Sequence, residues 1–78
     1  GDVVDISDVF DDTATTPLAV TDDGSNNAKL TVFDSGDNPI GSVTFENIDF
    51  DTLDTSDPLN DLASLVDIDT DGDGSGDI

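Results

Sequence analysis

The sequence predicts a mainly β fold: a small sheet unit built around one hairpin, with a single short helix near its C-terminal end. Alternating apolar and β-forming residues over 28–33 and 42–46 predict the hairpin. An apolar face with helical spacing over 57–66 predicts the helix. Throughout the chain, Asp, Gly and Asn separate short apolar runs, and these residue types are typical of tight turns. Short strands joined by turns are therefore expected.

Two short strands are predicted before the hairpin. Residues 2–6 form the β-favouring run DVVDI, and Leu18 alternates with Val20 in a second segment. Residues 11–17 contain few apolar side chains and predict a loop. The run TDDGSNN at 21–27 predicts a turn, because Asp, Gly and Asn all tolerate left-handed or tightly turned backbone.

The hairpin carries the clearest strand signal in the chain. Leu30 and Val32 on its first strand, and Val43 and Phe45 on its second, alternate with polar residues. Because successive side chains of a strand point to opposite faces, these four are expected on the buried face. The intervening run DSGDNPIG at 34–41 predicts the connecting turn.

The predicted helix is amphipathic and has a recognisable start. Its apolar members are spaced three or four residues apart: Leu59, Leu62, Ala63 and Val66. Asp57 followed by Pro58 is typical of an N-cap and a first helical position. The run VDID at 66–69 then returns to a strand-like pattern. We expect residues 1–66 to form a small β-rich domain and residues 67–78 an Asp/Gly tail resembling a calcium loop.

Charge is the dominant feature of the composition. The chain has 78 residues, 20 of them acidic, and Lys29 is its only base, so the formal net charge is −19. Such dense like charge opposes the compact state and repels nucleic acid and anionic membranes. Cations are the expected partners, and a protein this small often needs a metal to be stable. We expect the chain to be partly disordered without metal and monomeric.

The types of acidic residue indicate which class of cation the chain would bind. All but Glu46 are Asp, whose short side chain fits tight loops and binds hard cations through oxygen. The chain lacks Cys and His, so thiolate sites, disulfides and the usual zinc and copper sites are excluded. Calcium is the expected ion, and a solvated acidic surface is the competing interpretation.

The C-terminal run from Asp67 to Ile78 is the sharpest candidate site. Alternating Asp residues followed by Gly resemble the first half of a calcium loop, in which carboxylates at positions 1, 3 and 5 converge. The predicted metal ligands are Asp67, Asp69, Asp71, Asp73, Ser75 and Asp77.

Two registers of this loop compete. In the first, Asp69 begins the loop, Gly74 makes the sharp turn, Ser75 offers its carbonyl and Asp77 lies at position 9. In the second, Asp67 begins the loop and Gly72 makes the turn. The first is preferred because it gives Asp77 a role.

Neither register supplies the bidentate acid of position 12. We therefore expect a dissociation constant on the order of 10⁻⁴ to 10⁻³ M. A flexible acidic tail is the alternative interpretation of this run.

Catalysis is not expected of this chain. Paired carboxylates can hydrolyse glycosides, but the sequence contains no Trp or Tyr to bind a sugar. It is also short for a chain that must build a substrate cleft. We expect neither catalytic residues nor an organic cofactor.

Several segments resemble one bacterial family. The opening GDVVDISDVF, the hairpin AKLTVFDSGDNPIGSVTFENIDF and the helix at 57–66 are similar to successive elements of the C-terminal target domain of type I secreted RTX adhesins. The family is expected to end soon after the helix, whereas this chain continues with an Asp/Gly run.

The resemblance implies an uncleaved export signal recognised by an ABC transporter with its adaptor and outer-membrane channel. It further implies a calcium-binding role at the bacterial cell surface or in the medium, in adhesion and biofilm formation. The alternative is an internal β-sandwich spacer of such an adhesin, stiffened by calcium, which predicts about seven strands and no helix.

Overall fold

Residues 3–78, which the computed structural model describes, form five strands, one α-helix and one 3-10 turn. In chain order these are β1 (Val3–Asp5), β2 (Leu18–Asp22), β3 (Asn27–Phe33), β4 (Pro39–Asp49), the 3-10 turn (Phe50–Thr52), α1 (Pro58–Leu65) and β5 (Asp67–Asp69). The predicted mainly β fold with one short helix is confirmed.

The larger sheet is antiparallel, with strand order β2-β3-β4. Leu30 in the central strand lies opposite Val20 on one side and Val43 on the other, which confirms the hairpin. Leu30 and Val32 are buried, whereas Val43 and Phe45 are only half-buried. Edge position alone does not account for this, since β2 lies at the opposite edge and its apolar residues are buried where α1 packs against it.

Aspartate side chains organise the turns between these strands. Asp34 accepts the amide N–H groups of Gly36 and Asn38 at 2.9 and 3.0 Å, inside the β3–β4 turn. Asp37 in the same turn has a left-handed φ of 62°, a conformation that Asp tolerates better than most residues. Part of the unusual Asp content therefore serves turn geometry, because the shorter Asp side chain reaches the amide two residues ahead.

The ends of the described chain meet in a second, two-stranded sheet. β1 and β5 pair in parallel, with Val4 opposite Ile68. The sequence predicts each strand but not this pairing. Because β5 belongs to the folded unit, the first three residues of the predicted tail, 67–69, are part of the structured domain.

The helix begins and ends close to its predicted bounds of 57–66. Asp57 is the N-cap, and its side chain accepts the amide N–H of Asn60 at 3.2 Å. Pro58 occupies the first turn, where its missing N–H has no consequence. The backbone becomes extended at Val66 and continues directly into β5.

One apolar cluster joins both sheets and the helix. Its buried members include Ile6, Leu18, Val20, Ala28, Leu30, Val32, Leu53, Leu62, Val66 and Ile68. The sandwich alternative required about seven strands and no helix, and residues 3–78 have five strands and a helix. Within this part of the chain, no helix has the length and hydrophobicity needed to span a membrane.

Candidate metal centre

The acidic loop begins at the last residue of β5. The amide N–H of Ile6 donates a 2.9 Å hydrogen bond to the carbonyl oxygen of Asp69. The amide N–H of Asp77 donates another, also 2.9 Å, to the carbonyl oxygen of Ile68. Both ends of the loop are therefore held at one place, beside the junction of the first and last strands.

Asp69 is the buried centre of this loop, with only 1% of its surface exposed. One carboxylate oxygen accepts the amide N–H groups of Asp71 and Gly72 at 3.1 and 2.8 Å. The other accepts the amide N–H of Gly74 at 2.8 Å. Because each carboxylate oxygen has two lone pairs, Oδ2 retains one for a further partner.

These hydrogen bonds determine the ionisation of Asp69. Burial raises its pKa, but the amide N–H groups of Gly74, Gly72 and Asp71 outweigh burial and hold the pKa below its ordinary value. Donors that bond to the charged form stabilise it. Asp69 is therefore a carboxylate at neutral pH, despite being buried.

Two glycines give the loop its curvature. Gly72 has φ of +81° and Gly74 has φ of +85°, values that disfavour any residue with a Cβ atom. The turns they make direct their amide groups toward Asp69 and bring the later aspartates back over it. The sequence predicts a glycine turn at one of these positions, and the structure has one at each.

The loop brings four carboxyl groups together: those of Asp69, Asp71, Asp73 and Asp77. One ligand atom from each lies within 4.8 Å of all the others. Calcium binds oxygen at about 2.3–2.6 Å, so two oxygens on one ion are at most roughly 5 Å apart. The cluster could therefore hold a metal ion through the buried Asp69 and the three exposed aspartates.

Repulsion between these carboxylates is visible at Asp71. The amide N–H of Asp73 lowers the pKa of Asp71, but burial and the carboxyl groups of Asp73 and Asp69 together raise that pKa above its ordinary value. Asp73 differs because the amide and hydroxyl groups of Ser75 lower its pKa. A bound cation would remove the repulsion, since it favours the charged form of every carboxylate near it.

The geometry agrees with the preferred register of the loop. All four carboxyl groups of that register belong to the cluster, whereas Asp67, required by the second register, does not. The exposed Asp67 side chain lies beside Gly76, where an added Cβ would come within 3.1 Å of it. Ser75, the sixth predicted ligand, donates its hydroxyl to Asp73 at 3.0 Å.

Sequence reasoning missed the residue that orients Asp77. The amide and hydroxyl groups of Thr70 donate to one carboxylate oxygen of Asp77 at 2.9 and 3.2 Å. These two bonds restrain the orientation of a carboxyl group that belongs to the cluster. Only the tertiary fold brings these residues together, because seven positions separate them, and no spacing rule signals the contact.

Aspartates outside the acidic loop accept hydrogen bonds from backbone amides. Asp11 accepts hydrogen bonds from Thr13 in its own loop and from the Ser35 amide at 3.1 Å. Asp23 accepts the amides of Ser25 and Asn27 at 2.8 and 3.2 Å. Asp11 and Asp23 therefore lie in the loop and the turn that the sequence predicts, and their carboxylates bind backbone amides there.

Comparison with protein-family models, curated proteins and solved structures finds no match to this chain. The fold and the carboxylate cluster are therefore known from the structure of this chain alone. The resemblance to type I secretion target domains rests on the sequence motifs and stays a prediction.

Proposed function

We propose that this chain is the non-catalytic C-terminal export and folding domain of a calcium-dependent, RTX-like adhesin secreted by a type I system. The observation that carries the proposal is the position of the four-carboxylate cluster. It begins at Asp69, in the strand that pairs with β1 from the opposite end of the described chain. A cation bound there would stabilise the contact that closes the fold.

Calcium is the ion that this donor set suits best. The cluster offers only oxygen ligands from Asp side chains, and calcium accepts six to eight oxygens in flexible geometry. Four carboxylates on an exposed loop support affinity on the order of 10⁻⁴ to 10⁻³ M, which is the range of extracellular calcium modules.

The proposed mechanism is electrostatic. At low cytosolic calcium, the net charge of −19 opposes compaction, and the carboxylates of the loop repel one another. The chain then remains extended enough to thread through a channel. Outside the cell, millimolar calcium binds the loop, the repulsion falls, and the β1–β5 pair forms. Folding on the outer side would disfavour return into the channel.

The export role follows from the resemblance of the opening, the hairpin and the helix to type I target domains. Its partner would be the ABC transporter with its adaptor and outer-membrane channel, and its destination the medium or the cell surface. The absence of Cys suits a route without an oxidation step.

Calcium-coupled folding is tested by circular dichroism and thermal melting in chelator and in CaCl₂. At about 10 mM calcium and the Kd given above, linkage should add roughly 1.4–2.7 kcal/mol to the free energy of unfolding. Magnesium at the same concentration is the control for simple screening. Identical melting curves in chelator and calcium would contradict the proposal.

The variant control holds net charge constant. Asp71→Asn/Asp73→Asn removes two charges from the cluster, and Asp8→Asn/Asp12→Asn removes two from exposed positions in the β1–β2 connection. The cluster variant should lose the calcium response and the control should keep it. Equal responses would indicate that calcium acts by general screening.

Export is tested separately by fusing residues 1–78 to a reporter in cells that express a type I system. The proposal expects the reporter in the medium, and deletion of the transporter should retain it inside. Retention in cells with an intact transporter would refute the export role. If the calcium response described above is present, retention would favour the calcium-stiffened spacer.

A further inference from the structure

A groove runs along the second half of β4 and the end of α1, and it shares no residue with the four-carboxylate cluster. Its lining includes the apolar residues Phe45, Ile48, Leu65 and Val66 and the acidic residues Glu46 and Asp49. Its volume is about 710 Å³, within the roughly 300–1,000 Å³ typical of ligand-binding clefts. Leu65 is 57% exposed, so an apolar surface faces solvent here.

One wall of the groove belongs to an unpaired strand edge. Among residues 3–78, β3 is the only strand that pairs with β4. The regular part of that pairing extends to Phe45, and an irregularity then separates it from the next pair, Asn27 with Asp49. The outer edge of β4 therefore presents unpaired main-chain groups, which can accept another extended segment.

The charge around the groove selects the kind of segment. Glu46 and Asp49 are both exposed, and the last turn of α1 contains no basic residue to offset its terminal carbonyl groups. Cationic side chains would thus be favoured beside the apolar residues of the groove. A second copy of this chain is a poor occupant, because each copy has a net charge of −19.

We propose that the outer edge of β4 is a docking site for an extended peptide in which apolar residues alternate with Lys or Arg. In a strand, alternate side chains point to opposite faces. The apolar side chains would lie against Phe45 and Leu65. The cationic ones would reach Glu46, Asp49 or solvent, and the main chains would hydrogen-bond edge to edge. This site uses none of the residues of the carboxylate cluster.

Fluorescence anisotropy with three labelled peptides tests the proposal. The first alternates Lys with Val, the second alternates Lys with Ser, and the third is the Lys–Val peptide with N-methylated valines. Millimolar calcium and about 0.15 M salt keep the fold complete and screen exposed charges. Only the first peptide should bind saturably, with amide shifts in 15N spectra confined to residues 44–49 and 65–66.

Matched variants identify the site. Glu46→Gln/Asp49→Asn should weaken binding about five- to tenfold, and Asp8→Asn/Asp12→Asn, with the same net charge, should change it less than about twofold. Leu65→Ala should weaken binding and Val3→Ala, at another exposed apolar residue, should not.

Three outcomes would overturn the proposal. Equal binding of the Lys–Ser peptide would show attraction by charge alone, and equal binding of the N-methylated peptide would exclude strand addition. Shifts of the groove residues that depend on protein concentration without peptide would assign the edge to a second copy.

Discussion

Ile6 and Asp69 are joined by a main-chain hydrogen bond of 2.9 Å, from the amide N–H of Ile6 to the carbonyl oxygen of Asp69. The same Asp69 binds three loop amides through its side chain. One residue thus connects the N-terminal part of the fold to the carboxylate cluster. Ion binding or substitution at the cluster should therefore change the stability of the β1–β5 pairing. Four predictions concern the loop, the turns and the core.

Asp77→Asn should weaken calcium binding by at least about tenfold, since it removes one of the four carboxylates of the proposed site. The amide oxygen of Asn can still accept from Thr70, so the loop should keep its shape. Asp67→Asn is the control, because Asp67 lies next to the loop but outside the cluster. Calorimetric titration compares the two, and equal affinities would contradict the assignment of Asp77 as a ligand.

Gly74→Ala should lower the free energy of unfolding by about 1 kcal/mol, the cost of a left-handed residue with a Cβ, and should also weaken calcium binding. The added Cβ meets nothing within 4 Å, so backbone strain is the whole effect. Gly24→Ala has the same open surroundings at φ of +105° and lies in the β2–β3 turn. The Gly24→Ala variant should be destabilised by a similar amount, as measured by urea denaturation, and its calcium affinity should be unchanged.

Leu62→Ala should destabilise the domain by about 2–5 kcal/mol, the usual cost of truncating a fully buried leucine. Leu62 is 0% exposed, whereas Leu65 on the same helix is 57% exposed. Leu65→Ala should change stability by less than about 0.5 kcal/mol. Chemical denaturation in calcium measures both, and similar values would indicate that α1 does not pack on the sheets as described.

Asp34→Ala should cost stability at neutral pH but not in strong acid. The amide N–H of Asn38, helped by that of Gly36, lowers the pKa of Asp34 below its ordinary 3.8 despite burial. A carboxyl whose pKa is depressed by folding stabilises the fold above its unfolded pKa of about 3.9, and this stabilisation is lost as pH falls through the folded value.

The measurement is the difference in unfolding free energy between the parent and Asp34→Ala across the pH range. It should be constant from pH 7 to about pH 5 and vanish once the pH has fallen below the depressed folded pKa. Asp12→Ala, in an exposed loop position, should give a small difference at every pH. A difference for Asp34→Ala that persists in strong acid would contradict the role of its carboxylate.

The sequence alone predicts the local structure of this protein well. The hairpin, the helix after Asp57, the strand at 67–69 and the ligand spacing from Asp69 to Asp77 all depend on neighbouring residues. Side-chain alternation, capping and glycine turns act over a few positions, so their signals can be read without a fold.

The long-range contacts were decided by the tertiary structure. The parallel pairing of β1 with β5 joins residues more than sixty positions apart, and no local pattern specifies a partner at that distance. The same pairing fixes Asp69 as the buried centre of the cluster and leaves Asp67 outside it. The groove beside β4 likewise requires Leu65 to lie near Ile48, which depends on how the helix packs rather than on either segment by itself.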